Sequence, residues 1–212
     1  MKYTLNVDPR LKLPEEIASK HWELPVFMTF QGPVDEESAR KFVDGLTGAE
    51  NAARLANQEV LPLVIDSPGG CVYACLQIVD AMQDCSIKIA TIVEGKAMSA
   101  GAVMFSCGAE GHRYIGPNAT VMIHQAAHRG GGGKVHEVRA NANELDRLNE
   151  KILKIMAANC GKPAGYFIDK IKKDHGNADW YLDAKTALKE NVANHIRLPS
   201  FDIQVKMDYK FG

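Results

Sequence analysis

Short apolar runs that alternate with segments of helical pattern constrain the fold of this chain most strongly. Four such runs read as β-strands that are covered on both faces, and they lie at 24–30, 61–66, 87–94 and 119–125. Between them, the segments 35–56, 71–84 and 99–109 have helical patterns. Strands that alternate with helices in this way predict an α/β fold.

A longer helical pattern follows a run of four glycines at 130–133. From 134 to 162 its apolar residues recur at steps of three and four, which places them along one stripe of a helix. Gly161 and Pro163 end the pattern. Such a helix either projects toward a partner or packs against its own domain, and the periodicity alone favours neither arrangement.

The composition excludes several classes of protein. The 212 residues suffice for one sizeable domain, and a net charge of -1 predicts no general attraction to nucleic acid or acidic membranes. The N-terminal sequence lacks the apolar core of a signal peptide, and no run approaches the length of a transmembrane helix. Five cysteines, mostly in apolar surroundings, favour buried thiols over a zinc site. We therefore expect a cytoplasmic protein without a metal or cofactor.

Ser99 is the most unusual residue of the segment 96–106, because nearly all of its neighbours are small or apolar. Its hydroxyl either caps a helix or is a nucleophile held at the start of one. Gly69 and Gly70 lie between a strand and a helical segment. They form either a plain tight turn or a backbone whose N–H groups face a ligand, as in an oxyanion hole.

Two residues further along the chain could activate this hydroxyl, one as a base and the other as the acid that orients the base. His124 ends an apolar run, where it is either a general base or an ordinary half-buried histidine. Asp179 precedes an aromatic pair and is either the acid that orients the histidine or a helix cap, with Asp174 and Asp183 as nearby competitors. Sequence spacing alone leaves open whether these side chains meet in space.

Three stretches together resemble the ClpP family, the proteolytic subunits of the Clp protease. They are IDSPGGCVYACLQIVDAMQ at 65–83, GKAMSAGAVMFSCGAEGHRYIGPNATVMIHQ at 95–125 and DWYLDAKTAL at 179–188. The intervals from Gly70 to Ser99 and from Ser99 to the histidine of MIHQ agree with the usual spacing of the family. Several motifs in the same order at fitting intervals are far more specific than one motif alone.

The resemblance implies a role for each candidate residue. Ser99 would be the nucleophile, His124 the general base and Asp179 the orienting acid. The backbone N–H groups of Gly70 and Ala100 would form the oxyanion hole.

The resemblance also implies how a substrate binds. An extended polypeptide would lie between residues 70–72 and residues 125–127, beside an apolar specificity pocket. The residues expected to contact it are Gly69, Cys71, Val72, Gln125, Ala126 and Ala127.

The fold and assembly of the family are further expectations. The resemblance implies a single domain over 1–212, with an N-terminal segment at about 1–25 and a head of repeated strand–strand–helix units at about 26–128 and 163–198. A protruding handle of one strand and one helix would occupy about 129–162. Handles would interlock two seven-membered rings into a chamber with internal active sites, which a Clp-type AAA+ unfoldase feeds.

Three alternatives keep this fold and change the function. A crotonase-type enzyme would use paired backbone N–H groups on an acyl-CoA. A non-catalytic ring subunit would only assemble with active copies. A processing protease would cleave polypeptides without an unfoldase.

Overall fold

The chain alternates strands and helices, which confirms the predicted α/β class. The computed structural model describes residues 3–7, 25–127, 133–176 and 178–205. In chain order the elements are β1 (Tyr3–Val7), β2 (Met28–Gln31), α1 (Glu36–Leu55), β3 (Val60–Ser67), α2 (Val72–Asp84), β4 (Lys88–Met98), α3 (Ala100–Ser106), β5 (Arg113–Ile115), β6 (Thr120–Ile123), α4 (Val135–Asn159), α5 (Tyr166–Asp174), β7 (Trp180–Leu182), α6 (Ala184–Lys189), β8 (His195–Ile196) and β9 (Phe201–Val205).

The main sheet is mostly parallel. Its strands follow the order β2-β3-β4-β5-β8, and every pair of neighbours in that order is parallel. The long strand β4 pairs with β5 along its middle and with β6 at its C-terminal end. Because β3, β4 and β6 run in the same direction, their carboxyl ends meet at one edge of the sheet, where ligands bind in parallel α/β sheets.

The antiparallel strand β7 completes this edge. It pairs with β6 in the register Ile123↔Trp180. The residue after β6 is His124, and the residue before β7 is Asp179. Antiparallel pairing therefore brings these two side chains together although they are far apart in the sequence.

Helix α4 divides into an exposed half and a packed half. The side chains of Val135 and Val138 near its start are 70% and 46% exposed. Toward its end, Leu148, Ile152 and Met156 are buried in the core. The second half of the helix therefore packs against its own domain, while the first half leaves apolar side chains exposed.

Several element bounds differ from the sequence predictions. The predicted strand at 24–30 is found at 28–31, the predicted helix at 99–109 spans only 100–106, and the helix predicted at 134–162 ends at residue 159. The last helix stops early because Gly161 adopts a left-handed backbone conformation with φ +63. The handle strand that the resemblance implies, and the glycines at 130–132, lie outside the described residues. Among the described helices, none has the length and apolar character needed to cross a membrane.

Candidate active site

Ser99 forms the turn between β4 and α3. Its backbone has φ 54 and ψ -119, a conformation that is strained for a residue with a side chain. The Ser99 N–H donates to the carbonyl of Met122 on the neighbouring strand β6, at 2.8 Å. The hydroxyl makes no capping hydrogen bond to α3, so the capping interpretation does not describe this serine.

The side chains of Ser99, His124 and Asp179 lie side by side in that order, and we call them the catalytic row. The Nε2 atom of His124 is 2.8 Å from the Oγ atom of Ser99. On the other side of the ring, Nδ1 is 3.3 Å from the Oδ1 atom of Asp179. The histidine side chain is 26% exposed and that of the aspartate 48% exposed, so the row opens toward solvent. A hydroxyl, an imidazole and a carboxylate in this order can carry out nucleophilic acyl transfer.

The two competing aspartates are engaged elsewhere. Asp174 forms an ion pair with Lys170 at 2.7 Å, and the hydrogen bond from that lysine lowers the pKa of the carboxyl group. Asp183 caps α6 by accepting the backbone N–H of Thr186 at 2.7 Å. Asp179 is thus the member of this group that faces the imidazole ring.

The glycine turn lies directly against the serine. Gly69 has φ +87, and a Cβ atom there would be 2.6 Å from the Cβ of Ser99 and 2.6 Å from the Met98 carbonyl oxygen. Only glycine fits so close an approach without displacing its neighbours. The backbone of the turn therefore packs directly against Ser99, which requires glycine at position 69.

A short parallel bridge fixes the orientation of the second glycine. The Cys71 N–H donates to the carbonyl of Val34 at 2.7 Å, and the Val34 N–H donates to the carbonyl of Gly69 at 3.0 Å. Since neighbouring residues of an extended chain direct their hydrogen-bonding groups to opposite sides, the Gly70 N–H faces away from Val34. Gly70 also lines the cleft beside Ser99. The Ala100 N–H, at the start of α3, belongs to the helix N–H groups that have no partner within a helix.

A cleft of about 620 Å³ opens beside Ser99. It is lined by the catalytic row, by four of the residues expected to contact substrate, and by a group of apolar residues that we call the floor. The four are Gly69, Val72, Ala126 and Ala127, and the floor consists of Cys75, Val103, Ile152, Leu153 and Met156. Burial raises the pKa of the Cys75 thiol well above its ordinary value, so this floor is uncharged. The other two expected residues, Cys71 and Gln125, lie next to these lining residues in the sequence.

Sequence reasoning missed two residues of the site. Val34 pairs with the glycine turn, and Asn149 on α4 accepts the backbone N–H of Ala126 at 2.9 Å. Neither belongs to a motif, although Asn149 is a polar residue next to the apolar stripe of the long helix. No cluster of three or more potential metal ligands occurs within the described ranges.

We expect Gly69→Ala to destabilise the protein, because the new methyl group would overlap Ser99 and the Met98 carbonyl at a left-handed backbone position. The loss should exceed about 1 kcal/mol. Gly48→Ala is the matched control, because Gly48 lies within α1 with no atom near its added Cβ. That variant should gain roughly 0.5–1 kcal/mol. Thermal unfolding at equal protein concentration compares the two, and an unchanged midpoint for Gly69→Ala would contradict the close approach.

Known proteins resemble this chain over most of its length. Residues 24–198 match the profile of the family described as "Clp protease". The chain is 35% identical over 173 residues to the "ATP-dependent Clp protease proteolytic subunit 1" of Rhodopirellula baltica, with 82% of this chain and 71% of that relative covered. It is 36% identical over 166 residues to the "ATP-dependent Clp protease proteolytic subunit" of Streptococcus mutans, with 78% and 81% covered. The chain therefore belongs to the Clp protease family, which confirms the resemblance found in its sequence.

Proposed function

We propose that this chain is a serine endopeptidase that cleaves unfolded polypeptides through an acyl-enzyme intermediate. Membership in the Clp protease family implies a peptidase. The observation that carries the serine mechanism is the row in which His124 lies 2.8 Å from the Ser99 hydroxyl and 3.3 Å from Asp179.

In the first half of the reaction, Ser99 Oγ attacks the scissile carbonyl carbon while His124 Nε2 takes the hydroxyl proton. Asp179 keeps the other ring nitrogen protonated and stabilises the imidazolium that forms. The imidazolium then donates its proton to the leaving amine, the C–N bond breaks, and an ester remains on Ser99. In the second half, water loses a proton to His124 and attacks the ester carbonyl carbon. The bond between that carbon and Ser99 Oγ then breaks, the imidazolium returns its proton to Oγ, and the carboxylic acid product leaves.

Hydrogen-bond donors must stabilise the negative charge that develops on the carbonyl oxygen during the attack. The backbone N–H groups of Gly70 and Ala100 supply them at the glycine turn and at the start of α3. Their positions are fixed by the bridge to Val34 and by the strained turn at Ser99. Donors fixed in advance stabilise the oxyanion without reorganising during the reaction.

The substrate is an unfolded polypeptide in extended conformation. Backbone pairing with residues 70–72 and 125–127 accepts many sequences, because main-chain groups are the same in every peptide. The apolar floor of the cleft favours an apolar side chain before the scissile bond.

The active unit is a ring-shaped assembly of identical subunits, and two stacked heptamers enclose its chamber. The exposed first half of α4, with Val135 and Val138 uncovered in the single chain, suits contact with a second copy. The relatives are described as ATP-dependent. We extend this to the present chain by assigning the ATP to a Clp-type AAA+ unfoldase that feeds the chamber.

The test is labelling with a fluorophosphonate probe, which reacts with activated serines, followed by mapping of the labelled peptide. We expect one adduct, on Ser99, because that hydroxyl has a base within hydrogen-bonding distance. Ser106 serves as the internal control, since its buried hydroxyl donates to a backbone carbonyl and faces no base.

Absence of label in folded protein would refute an active triad in the isolated chain and favour the non-catalytic ring subunit. Label on Ser99 combined with degradation of a folded, tagged protein only in the presence of ATP and an added unfoldase would separate the proposed function from an unfoldase-independent processing protease. Turnover of an acyl-CoA would favour the crotonase-type alternative.

A further inference from the structure

Helix α4 makes hydrogen bonds near both segments that border the cleft, 70–72 and 125–127. Near one edge, the Tyr73 hydroxyl, one residue after Val72, donates to Glu144 at 2.6 Å. Arg147, one turn further along, holds the same carboxylate at 2.7 Å. At the other edge, Asn149 accepts the N–H of Ala126 at 2.9 Å. These contacts place α4 beside both of the segments between which an extended substrate would lie; we call the space between residues 70–72 and 125–127 the slot.

The contact made by Asn149 is different in kind from the contact at Tyr73. Tyr73 and Glu144 meet through exposed side-chain ends, which contribute little to rigidity at a surface. Asn149 is half-buried and holds a backbone amide in a segment, 124–127, that belongs to neither a helix nor a strand. In such a segment, a side chain that accepts a backbone N–H replaces the hydrogen bond that a strand would supply.

The position of Ala126 explains why this hydrogen bond matters. Ala126 lies two residues after His124 and in the middle of the edge at 125–127. The hydrogen bond to Asn149 ties Ala126 to α4, and Ala126 and Ala127 both line the cleft. His124 itself is held separately, by β6, by Ser99 and by Asp179. Loss of the asparagine contact should therefore disturb the edge more than the catalytic row.

We propose that Asn149 is a positioning residue for the substrate: by binding the Ala126 N–H, it holds residues 125–127 at the spacing and orientation that an extended polypeptide needs for backbone pairing. The inference rests on the proposed peptidase function. It adds a residue on the long helix that selects for extended substrates and acts without touching the reacting atoms.

The test compares two nearly isosteric variants in the full-length protein. Asn149→Leu removes the acceptor, and Asn149→Asp keeps an oxygen in its place. Asn143→Leu is the matched control, because Asn143 is exposed on the same helix. Each protein is assayed with a quenched peptide of about ten residues, which spans the slot, and for the rate at which a fluorophosphonate labels Ser99. Sedimentation velocity verifies that the assembly is unchanged.

We expect Asn149→Leu to lower kcat/KM for the long peptide by about tenfold, mainly by raising KM, as expected for loss of one positioning hydrogen bond. Labelling of Ser99 should stay within about twofold of the unsubstituted protein. Asn149→Asp should restore most of the peptide activity, and Asn143→Leu should behave like the unsubstituted protein.

Equal losses in peptide turnover and labelling would overturn the proposal, because they would indicate a general structural role. An unchanged KM for Asn149→Leu would overturn it as well, as would failure of Asn149→Asp to restore activity. These results are distinct from failure of the proposed function, which would appear as absence of Ser99 labelling in the unsubstituted protein.

Discussion

Ser99→Ala is expected to lower kcat for peptide hydrolysis by roughly 10⁶-fold, the loss that follows removal of the nucleophile from a serine protease triad. The hydroxyl is the group within 2.8 Å of His124 Nε2, and an alanine leaves the base with nothing to activate. The residual rate would come from water attack aided by the oxyanion-hole donors. A fluorogenic peptide assay at high enzyme concentration measures the loss.

The matched control for this variant is Ser106→Ala, at the far end of the helix α3 that follows Ser99. Ser106 is fully buried and its hydroxyl donates to the carbonyl of Val103, so its removal should leave kcat within a few-fold of normal. Sedimentation should show that both variants assemble like the unsubstituted protein, since neither side chain lies on the exposed half of α4. Substantial peptidase activity in Ser99→Ala would show that another residue is the nucleophile.

The sequence predicted the four longest elements of the described chain, which are α4, α1, α2 and β4. The four strands and four helices that it singled out are all present, with bounds shifted by a few residues. The elements it left out include the nine-residue helix α5 and the five-residue strands β1 and β9. The others are shorter, such as Arg113–Ile115, Trp180–Leu182 and His195–Ile196. Elements of two or three residues show no period of their own, and pairing with distant neighbours stabilises them.

The same distinction applies to the site. Ser99 and the two glycines follow predicted strands and His124 lies near the end of one, so their meeting follows from a parallel sheet. The resemblance named Asp179 as the orienting acid, but the residues alone could not place it beside His124, because that position depends on the antiparallel pair Ile123↔Trp180 and on a strand too short to predict. The positive φ angle of Ser99 could not be predicted from the sequence either, because serine disfavours it and tertiary contacts impose it.

Asp179→Asn is expected to lower kcat by about 10⁴-fold while the fold persists. Asp179 Oδ1 lies 3.3 Å from Nδ1 of His124. A carboxylate at this position favours the tautomer with the proton on Nδ1, which leaves Nε2 free to take the proton of Ser99. An asparagine can turn its amide N–H₂ toward the ring, which favours the opposite tautomer, with the proton on Nε2. That tautomer cannot accept the serine proton, so both peptide hydrolysis and fluorophosphonate labelling of Ser99 should slow together.

Asp174→Asn tests whether this effect belongs to Asp179 alone. Asp174 is the last residue of α5. It pairs with Lys170 at 2.7 Å and is exposed, so its neutral variant should keep kcat within about twofold. The two substitutions make the same chemical change five residues apart, so a difference between them reports on position rather than on charge. If Asp174→Asn is the damaging variant and Asp179→Asn is nearly silent, the orienting acid is Asp174, and the pairing of β6 with β7 does not define the catalytic row.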